Sequence, residues 1–274
     1  MTSLTSVTSA SPAKENPPAT GPAAPPLISI RDLWKQFGEQ VVLKGFDLDV
    51  ATGETLVIVG RSGGGKSVIL KHIIGLMKPD KGDVLVEGES VIALTERQLS
   101  RVRKKIAVLF QSAALFDSMT VEENIAFPLR ETGLKDQGII DARVAGALEM
   151  VDLAGEQKKM PEKLSGGMRK RVGLARAIVT EPRCILYDEP TTGLDPIVAD
   201  SINRLIRRLQ KRLGITSIVV THDMKSAFHV GDHVAYLSDG RVYFRGTPEA
   251  LRASTDPLIH DFIEGRSRDL KSDD

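Results

Sequence analysis

Apolar and polar residues alternate with two different periods along the chain. Short β-like runs occupy residues 27–30, 41–50 and 54–59, and the last run ends in an unbroken apolar stretch. Residues 67–77 instead place apolar side chains three and four positions apart, which is the spacing of an amphipathic helix. The pattern therefore predicts a strand, a glycine-rich loop and a helix in direct succession.

The rest of the chain continues this alternation with one helical interruption. Residues 112–164 contain helical patterns and no convincing strand, which predicts a helical insertion between two halves of the sheet. Asp239 and Gly240 lie between two β-like runs and predict a tight hairpin turn. Further strands are predicted at 83–87, 106–110, 184–187, 217–221, 234–237 and 241–244, and helices at 121–130, 139–151, 166–180, 197–213 and 258–263, with 96–105 a helix or a loop. The order of elements predicts an α/β fold that begins with antiparallel strands.

Composition places the chain among globular proteins. Of its 274 residues 41% are apolar and 27% charged, which suits one large domain or a domain with a subdomain. The 37 basic and 36 acidic residues leave a net charge of +1, so no overall field attracts the chain to nucleic acid or anionic lipid. The single cysteine, Cys184, excludes an internal disulfide and a cysteine-rich metal site, and its apolar neighbours predict inert packing in the core.

The two ends of the chain differ from its middle. Residues 1–26 are rich in Ser, Thr, Ala and Pro and lack the apolar block of a secretory signal, which predicts a disordered leader. An organellar transit peptide is the alternative, although the first arginine is Arg31. Residues 27–265 are predicted to fold as one domain, followed by a polar tail at 266–274. No apolar stretch approaches the roughly 20 residues that span a bilayer, so a membrane role would need a partner protein.

The loop at residues 60–67 matches the phosphate-binding P-loop pattern in full. Its glycines let backbone N–H groups turn toward a β-phosphate, and the following helix adds the positive end of its dipole. Lys66 would reach the β- and γ-phosphate oxygens, and the Ser67 hydroxyl would ligate Mg²⁺. A plain glycine-rich turn, the alternative, would not need the Lys-Ser pair. The nucleotide-binding residues predicted here are Gly60, Arg61, Ser62, Gly63, Gly64, Gly65, Lys66 and Ser67.

Two adjacent carboxylates follow the apolar run at residues 184–187. Burying an unpaired charge there would be costly, and a bound Mg²⁺ removes that objection. Asp188 would hold the ion through water, and Glu189 would polarise the water that attacks the γ-phosphate. An Asp-Glu pair at a strand end, taken alone, is also explained as a helix cap, but the P-loop upstream favours the catalytic interpretation.

The pentapeptide Leu164-Ser165-Gly166-Gly167-Met168 indicates which kind of nucleotide-binding protein this is. Together with the P-loop it resembles the signature of the ATP-binding-cassette (ABC) ATPases. The glycines allow close backbone approach, Ser165 offers a hydroxyl, and the helix that begins there points its N-terminus at a phosphate. A serine N-cap before a basic helix is the simpler alternative for the string alone. The resemblance implies that the signature closes on ATP held by a second copy, so the active unit would be a homodimer with composite ATP sites.

Three further positions match ABC motifs in the order that the family shows. His222 resembles the switch histidine that contacts the γ-phosphate, although a lone histidine after a strand is usually structural. Gln111 resembles the Q-loop glutamine, which touches metal and water and reports the nucleotide state to the helical insertion. Asp195 resembles the D-loop residue at the dimer interface. The resemblance thus implies catalysis by Glu189, His222 and Gln111, metal binding by Ser67, Gln111 and Asp188, and nucleotide contacts from Ser165, Gly166, Gly167 and Asp195.

An aromatic side chain is expected to stack on adenine at the N-terminal end of the domain. Phe37 occupies the position that family members use, and the following Gly38 and the spacing to the next strand fit the family. Trp34 is the alternative platform. Ordinary packing of the N-terminal strands would also explain either residue.

Within the ABC family, three segments resemble the ATPases of the Mla/Mce phospholipid-transport systems. They are Met168, where most of the family carries Gln, residues 109–121 around the Q-loop, and residues 125–130. One departure is the end of the chain, because some Mla-type ATPases carry a long C-terminal extension that wraps the neighbouring subunit. Here a short polar tail follows Gly265, which argues against a tail-mediated dimer contact.

The resemblance implies a P-loop NTPase of the ABC type, with a RecA-like core, an N-terminal antiparallel β-subdomain and a helical signature subdomain at about 112–164. It implies ATP and Mg²⁺, a homodimer beneath polytopic permease subunits, an MCE-domain lipid-binding protein, and a small STAS-domain regulator as a further candidate partner. No nucleic-acid partner is expected. The implied location is the cytoplasmic face of the inner membrane. Phe110, Leu115, Phe116 and Phe127 would receive the permease or form subdomain core.

Two other functions remain as alternatives to phospholipid transport. An importer ATPase for a polar solute such as an amino acid would carry a similar cassette. A soluble ABC protein acting on DNA or ribosomes is disfavoured because the chain has one P-loop, one signature and no long heptad run.

Overall fold

The structure of the protein is a computed structural model, which describes residues 25–266. The predicted leader, apart from residues 25–26, and the predicted tail, apart from residue 266, lie outside the described residues.

The described strands form two sheets. A six-stranded sheet has the order β10-β9-β3-β8-β7-β6, with β9, β3, β8, β7 and β6 parallel and β10 antiparallel at one edge. A four-stranded antiparallel sheet has the order β2-β1-β4-β5. The strands are β1 (Ile28–Phe37), β2 (Gln40–Val50), β3 (Thr55–Gly60), β4 (Lys81–Val86), β5 (Glu89–Ser90), β6 (Ile106–Leu109), β7 (Cys184–Asp188), β8 (Thr216–Thr221), β9 (His233–Ser238) and β10 (Arg241–Gly246).

Helices cover the six-stranded sheet and fill the region between β6 and β7. Residues 112–164 contain α3, α4 and a 3₁₀ turn at Pro161–Lys163, and no strand, as the sequence predicts. The helices are α1 (Lys66–Ile73), α2 (Glu96–Arg103), α3 (Val121–Glu131), α4 (Gln137–Met150), α5 (Gly166–Ile178), α6 (Pro196–Leu213), α7 (Met224–Val230), α8 (Pro248–Arg252) and α9 (Pro257–Ile263). The predicted α/β fold with antiparallel strands at its start is confirmed.

Period-two alternation divides the core into two layers. In β3, Leu56 and Ile58 pack on the face that the antiparallel sheet and α1 cover, whereas Val57 and Val59 face the helices from the second half of the chain. The strands β7 and β8 divide their buried side chains in the same way. Because both faces of the central strands are covered, their sequences read as continuous apolar runs.

Two element boundaries differ from the prediction by more than two residues, each for a local reason. Strand β1 continues to Phe37, well past residue 30, because a register shift after Ile30 and a left-handed Asp32 (φ 45°) interrupt the alternation. Helix α1 ends at Ile73, before residue 77, because Gly75 is left-handed (φ 64°).

Among the short elements and turns, some were predicted from the sequence and others were not. The elements β5, α7 and α8 were not predicted, whereas α9, which is as short as α7, was predicted from its amphipathic pattern. The predicted hairpin turn is confirmed, because Asp239 (φ 47°) and Gly240 (φ 74°) both have the positive φ of a type I′ turn between β9 and β10.

Candidate functional site

Four functional segments meet at one edge of the six-stranded sheet. The parallel strands β3, β8, β7 and β6 are neighbours, so their carboxyl ends lie side by side. The P-loop follows β3, His222 follows β8, Glu189 follows β7, and Gln111 lies just beyond β6. This is where ligands bind in open α/β sheets. Residues up to 162 positions apart in the sequence, Gly60 and His222 among them, are brought together by sheet topology alone.

The P-loop has the backbone that a phosphate cradle requires. Gly65 caps α1 in the left-handed region (φ 97°), and Lys66 is the first residue of the helix. A Cβ built at Gly65 would lie 2.7 Å from Val42 Cγ1 of β2, so both the backbone angle and the packing call for glycine. Arg61 and Ser62, in contrast, lie exposed at the outer side of the loop.

Lys66 is held within the loop itself. Its ammonium donates to the carbonyl oxygens of Gly60 at 2.8 Å and Arg61 at 3.0 Å, and lies 4.0 Å from Glu189 Oε1. Only 6% of the residue is exposed. Desolvation lowers the pKa of Lys66, and the carboxylates of Glu189 and Asp188 oppose that shift. Lys66 is therefore a buried cation beneath the P-loop glycines, close to the carboxylates of Glu189 and Asp188.

Ser67 and Asp188 supply oxygen ligands at adjoining positions. The Ser67 hydroxyl donates to Asp188 Oδ1 at 2.8 Å, which joins the start of α1 to the end of β7. Within residues 25–266 no group of three or more His, Cys, Asp or Glu side chains is arranged to hold a metal ion. One hydroxyl and one carboxylate suit a Mg²⁺ ion that takes its remaining ligands from phosphates and water. The donor set therefore fits Mg²⁺ bound together with nucleotide.

Glu189 lies at the centre of a hydrogen-bonded cluster. Its Oε1 is 3.0 Å from His222 Nδ1, and its Oε2 accepts from the hydroxyls of Thr192 at 3.1 Å and Thr221 at 3.2 Å. The backbone at Glu189 is left-handed (φ 48°), a conformation that costs a non-glycine residue about 1–3 kcal/mol. The backbone of Glu189 is strained and both of its carboxylate oxygens are hydrogen-bonded, which indicates that the orientation of this side chain is important.

Gln111 reaches this edge through its backbone. Its carbonyl oxygen accepts from the buried Lys170 ammonium, while the residue itself is exposed. The structure therefore places Gln111 at the same edge of the sheet as the P-loop, Glu189 and His222.

The signature residues lie against the D-loop of the same chain. Ser165 is the N-cap of α5 and accepts from Met168 N at 3.2 Å. A Cβ at Gly167 would lie 2.6 Å from Val198 Cγ1, and one at Gly166 would lie 3.3 Å from Leu194 Cδ2. The serine N-cap considered for this string is thus present, and an accepting hydroxyl keeps its own O–H as a donor.

Asp195 and Met168 each have a structural role. Asp195 Oδ1 accepts from Ile197 N and Val198 N, both at 3.0 Å, and so caps α6. Met168 is partly buried and packs against the larger core cluster. Ile197, two residues after the cap and within α6, is 83% exposed.

The two aromatic candidates for adenine stacking differ in their surroundings. Trp34 donates from Nε1 to Asp32 Oδ1 at 2.7 Å, and the Lys81 ammonium lies 5.8 Å from the centre of its ring. Phe37 is 44% exposed at the tip of the β1–β2 hairpin, where it pairs with Gln40. The Lys35 ammonium lies 5.6 Å from the centre of the Phe37 ring, and Phe37 is the more exposed of the two aromatic residues.

A cavity of about 340 Å³ opens on the other side of His222. It is lined by the D-loop, the start of α6 and α7, and none of its lining residues belongs to the P-loop. Within the P-loop, Arg61, Ser62 and Gly63 are exposed, whereas Gly65 and Lys66 are buried.

Several residues of the site were not predicted from the sequence. Thr192 and Thr221 fix Glu189, and Lys170 contacts both the Gln111 and Glu189 carbonyls. Thr192 and Thr221 were missed because a hydroxyl residue beside a known motif gives no periodic signal in the sequence. Lys170 could have been found, since it falls on the apolar face of its helix, three positions before Gly173.

The chain is similar to known proteins in both sequence and structure. The model of the ABC transporter family matches residues 43–192. The chain is 39% identical over 239 residues to the intermembrane phospholipid transport system ATP-binding protein MlaF of Escherichia coli (strain K12), covering 87% of this chain and 89% of the relative. It is 40% identical over 239 residues to the probable ribonucleotide transport ATP-binding protein mkl of Mycobacterium leprae, covering 87% and 69%.

Solved structures give the same picture of the fold. One is the dimeric, post-hydrolysis ATP-binding cassette MJ0796 bound to ADP and Pi, with a TM-score of 0.74 and 33% identity over 81% of this chain and 98% of that one. Another is cbiO1 from Clostridium perfringens, part of the ABC transporter complex cbiONQ, with a TM-score of 0.78 and 29% identity over 87% and 95%.

Proposed function

Because this chain belongs to the ABC transporter family and is an ATPase of that family, we propose that it energises the movement of phospholipid between membranes of the cell envelope. The family predicted from the P-loop and signature is thereby confirmed, as is the similarity to Mla-type ATPases. The observation that carries the proposed cargo is the identity to MlaF, which extends over nearly the whole of both chains.

The chemistry assigned to the residues follows from their surroundings. Lys66 binds the β- and γ-phosphates, since its ammonium is already positioned on the loop carbonyls. Glu189 accepts a hydrogen bond from the attacking water, and His222 orients that carboxylate and contacts the γ-phosphate. Ser67 and Asp188 hold Mg²⁺ with the nucleotide, and Gln111 contacts metal and water from the edge of the site. The ion, when bound, neutralises charge that develops on the phosphate oxygens.

The ATP site is completed by a second copy of the chain. The exposed outer residues of the P-loop, Arg61, Ser62 and Gly63, and the exposed Ser165 support this assignment, because both segments have surface available to a second copy. Ser165, Gly166, Gly167 and Asp195 of one copy then face the nucleotide held by the other. Phe37 stacks on the adenine of its own subunit.

Partners in the membrane complete the proposed assembly. Within the described residues no helix has the length and apolar character needed to cross a bilayer. We place a homodimer of the chain on polytopic permease subunits at the cytoplasmic face of the inner membrane. An MCE-domain lipid-binding protein works with this complex, and a small STAS-domain regulator is a further proposed partner. Phe110 and Phe116, 41% and 42% exposed, are the apolar side chains that would meet the permease.

Mixing two inactive variants tests whether the ATP site is shared between copies. Lys66→Ala removes the phosphate lysine, and Ser165→Arg blocks the signature. A mixed dimer would contain one site with both residues intact, so mixing the two purified variants should restore ATPase activity that neither shows alone. A mixture that stays inactive, although the chains exchange as shown by tag pull-down, would contradict the shared site.

The cargo is tested on the complex as it exists in the membrane. The tagged chain, solubilised with the subunits that co-purify, should retain phospholipid by mass spectrometry, and its ATPase rate should rise when phospholipid is added. The similarity to mkl favours ribonucleotide transport as a second candidate. A complex that is stimulated by a ribonucleotide or an amino acid, and that binds no lipid, would overturn the phospholipid proposal.

A further inference from the structure

One face of α5 is built against the loop that carries Gln111. Lys170, Gly173 and Arg176 are three positions apart and therefore share that face. A Cβ at Gly173 would lie 2.7 Å from Leu109 Cδ1 and 3.2 Å from Ala113 Cβ, so the glycine permits the close approach of this loop. The helix that begins with the signature thus packs directly on the segment that follows β6.

The loop after Gln111 adopts a backbone that needs external support. Ala113 and Ala114 are left-handed, with φ of 61° and 46°, an unfavourable conformation for alanine. The Arg176 guanidinium donates to both of their carbonyl oxygens, at 2.7 Å and 2.8 Å. Arg176 therefore holds the far end of the loop, and Lys170 meets its beginning.

Lys170 connects this loop to the catalytic strand. Its ammonium donates to the Gln111 carbonyl oxygen and lies 3.4 Å from the Glu189 carbonyl oxygen, and only 5% of the residue is exposed. The same Glu189 carbonyl accepts from Thr192 N at 3.3 Å, and Glu189 N donates to Val220 O at 2.9 Å. Three groups thus fix the peptide of Glu189 in its left-handed conformation.

We propose that Lys170 is a positioning residue for ATP hydrolysis, which ties the Gln111 loop to the Glu189 peptide so that displacement of the loop moves the Glu189 carboxylate out of line. The inference rests on the proposed catalytic role of Glu189. The ammonium bridges the carbonyl oxygen of Gln111, in the loop after β6, and that of Glu189, directly after β7, and so links the positions of these two segments. The loop position, and with it the position of the helical insertion, thereby sets whether Glu189 is aligned.

The alternative is that Lys170 only fills space in the core. Desolvation lowers the pKa of Lys170, and the charges of Glu189 and Asp188 oppose the shift. An apolar side chain at this position would avoid the cost of burying an ammonium. An apolar side chain would also leave two carbonyl oxygens without one of their donors. The contacts rather than the volume therefore account for a lysine here.

The test compares Lys170→Met with Arg171→Met in the full-length chain. Methionine keeps the unbranched stem and removes the charge. Arg171 is the next residue on α5, and its guanidinium contacts Val151 O, Asp152 and Ser201, away from the Gln111 loop. For Lys170→Met we expect kcat for ATP to fall about ten- to a hundredfold with KM changed less than about twofold, since misplacing a catalytic group affects the chemical step. Arg171→Met should leave both kcat and KM for ATP unchanged.

A double-mutant cycle separates positioning from structural damage. If Lys170 acts through Glu189, then Lys170→Met should lower turnover in the wild-type background and have no further effect in a Glu189→Gln background. Lys170→Arg, which keeps a cation of similar reach, should restore part of kcat. If Lys170→Met does not fold, Lys170→Gln, which retains a donor, is measured in the same cycle.

Two results would overturn the inference. Unchanged kcat in Lys170→Met, or an equal further loss in the Glu189→Gln background, would show that Lys170 does not act through Glu189. Near-normal turnover in Glu189→Gln alone would instead remove the proposed catalytic role of Glu189, so the failure of the two proposals can be told apart.

Discussion

The P-loop half of the site and the signature loop are built in opposite ways. Lys66 and Glu189 are almost enclosed, and their polar atoms bond to other groups of the same chain. Ser165 is exposed, and its hydroxyl accepts only a local N-cap hydrogen bond. The difference teaches that one half is organised within a single chain, whereas the other is presented outward, as a group that acts on another molecule must be.

A substitution of Glu189, the proposed catalytic group in the P-loop half of the site, should have the largest effect on ATP turnover. Glu189→Gln should lower turnover by about 10²–10⁴-fold, the usual contribution of a general base, while ATP affinity stays close to wild type. ATPase assays and nucleotide-binding titrations measure the two quantities. Glu181→Gln is the matched control, because Glu181 is also left-handed (φ 53°) but exposed outside the site. Equal losses in both variants would remove the distinction between the catalytic carboxylate and its surroundings.

The exposed half should respond in function more than in fold. Ser165→Ala and Thr120→Ala both remove an N-cap hydroxyl that accepts from the third helical residue, at 3.2 Å and 3.3 Å. Each should lower the free energy of unfolding by about 1 kcal/mol. Only Ser165→Ala should also lower turnover, by about tenfold, which corresponds to one lost hydrogen bond in the transition state. Equal ATPase rates in the two variants would reduce Ser165 to a helix cap.

Packing beneath the signature should have a moderate effect on stability. Gly167→Ala places a Cβ 2.6 Å from Val198 Cγ1 and should cost about 1 kcal/mol in chemical unfolding through overpacking. Gly146→Ala in α4 meets no atom within 4 Å and should stabilise by about 0.5–1 kcal/mol. If both substitutions stabilise, the signature loop and the D-loop are not as closely packed as the geometry indicates.

A further expected effect is a pH dependence of the free energy of unfolding, caused by a buried histidine of α1 on the P-loop side of the site. His72 of α1 is fully buried, its Nδ1 lies 2.7 Å from Val68 O, and its Nε2 has no partner. Desolvation lowers the pKa of His72 below 6.5. The unfolded chain therefore takes up the proton first as pH falls, so stability is lost from about pH 6.5 downward, with a limiting slope of about 1.4 kcal/mol per pH unit.

Urea unfolding between pH 7.5 and 5.5 measures this dependence. His72→Leu should flatten the pH profile, whereas His260→Gln, which changes an exposed histidine, should leave it unchanged. A profile that keeps its slope in His72→Leu would assign the dependence to other groups.

The fold and much of the site were predictable because their signals are local. The glycines and the Lys-Ser pair of the P-loop occur within eight residues, and Asp188 and Glu189 directly follow an apolar strand. The end of β1 was missed because Asp32 breaks the alternation. The contacts of Thr221 and Lys170 with Glu189 were missed because each depends on which elements lie side by side. The contact of Thr192, three residues after Glu189, was missed because it depends on the left-handed backbone at Glu189.

The sequence by itself determined the element types, the P-loop, the signature and the ABC family, since these rest on periodicity and on short strings with fixed spacing. Only the tertiary structure decided that Lys170 spans from Gln111 to Glu189, that Ser165 faces outward and that Phe37 is the freer aromatic ring. The physical reason is that strand order brings distant residues together, and no local pattern in the chain encodes which side chain a given carbonyl or carboxylate will meet.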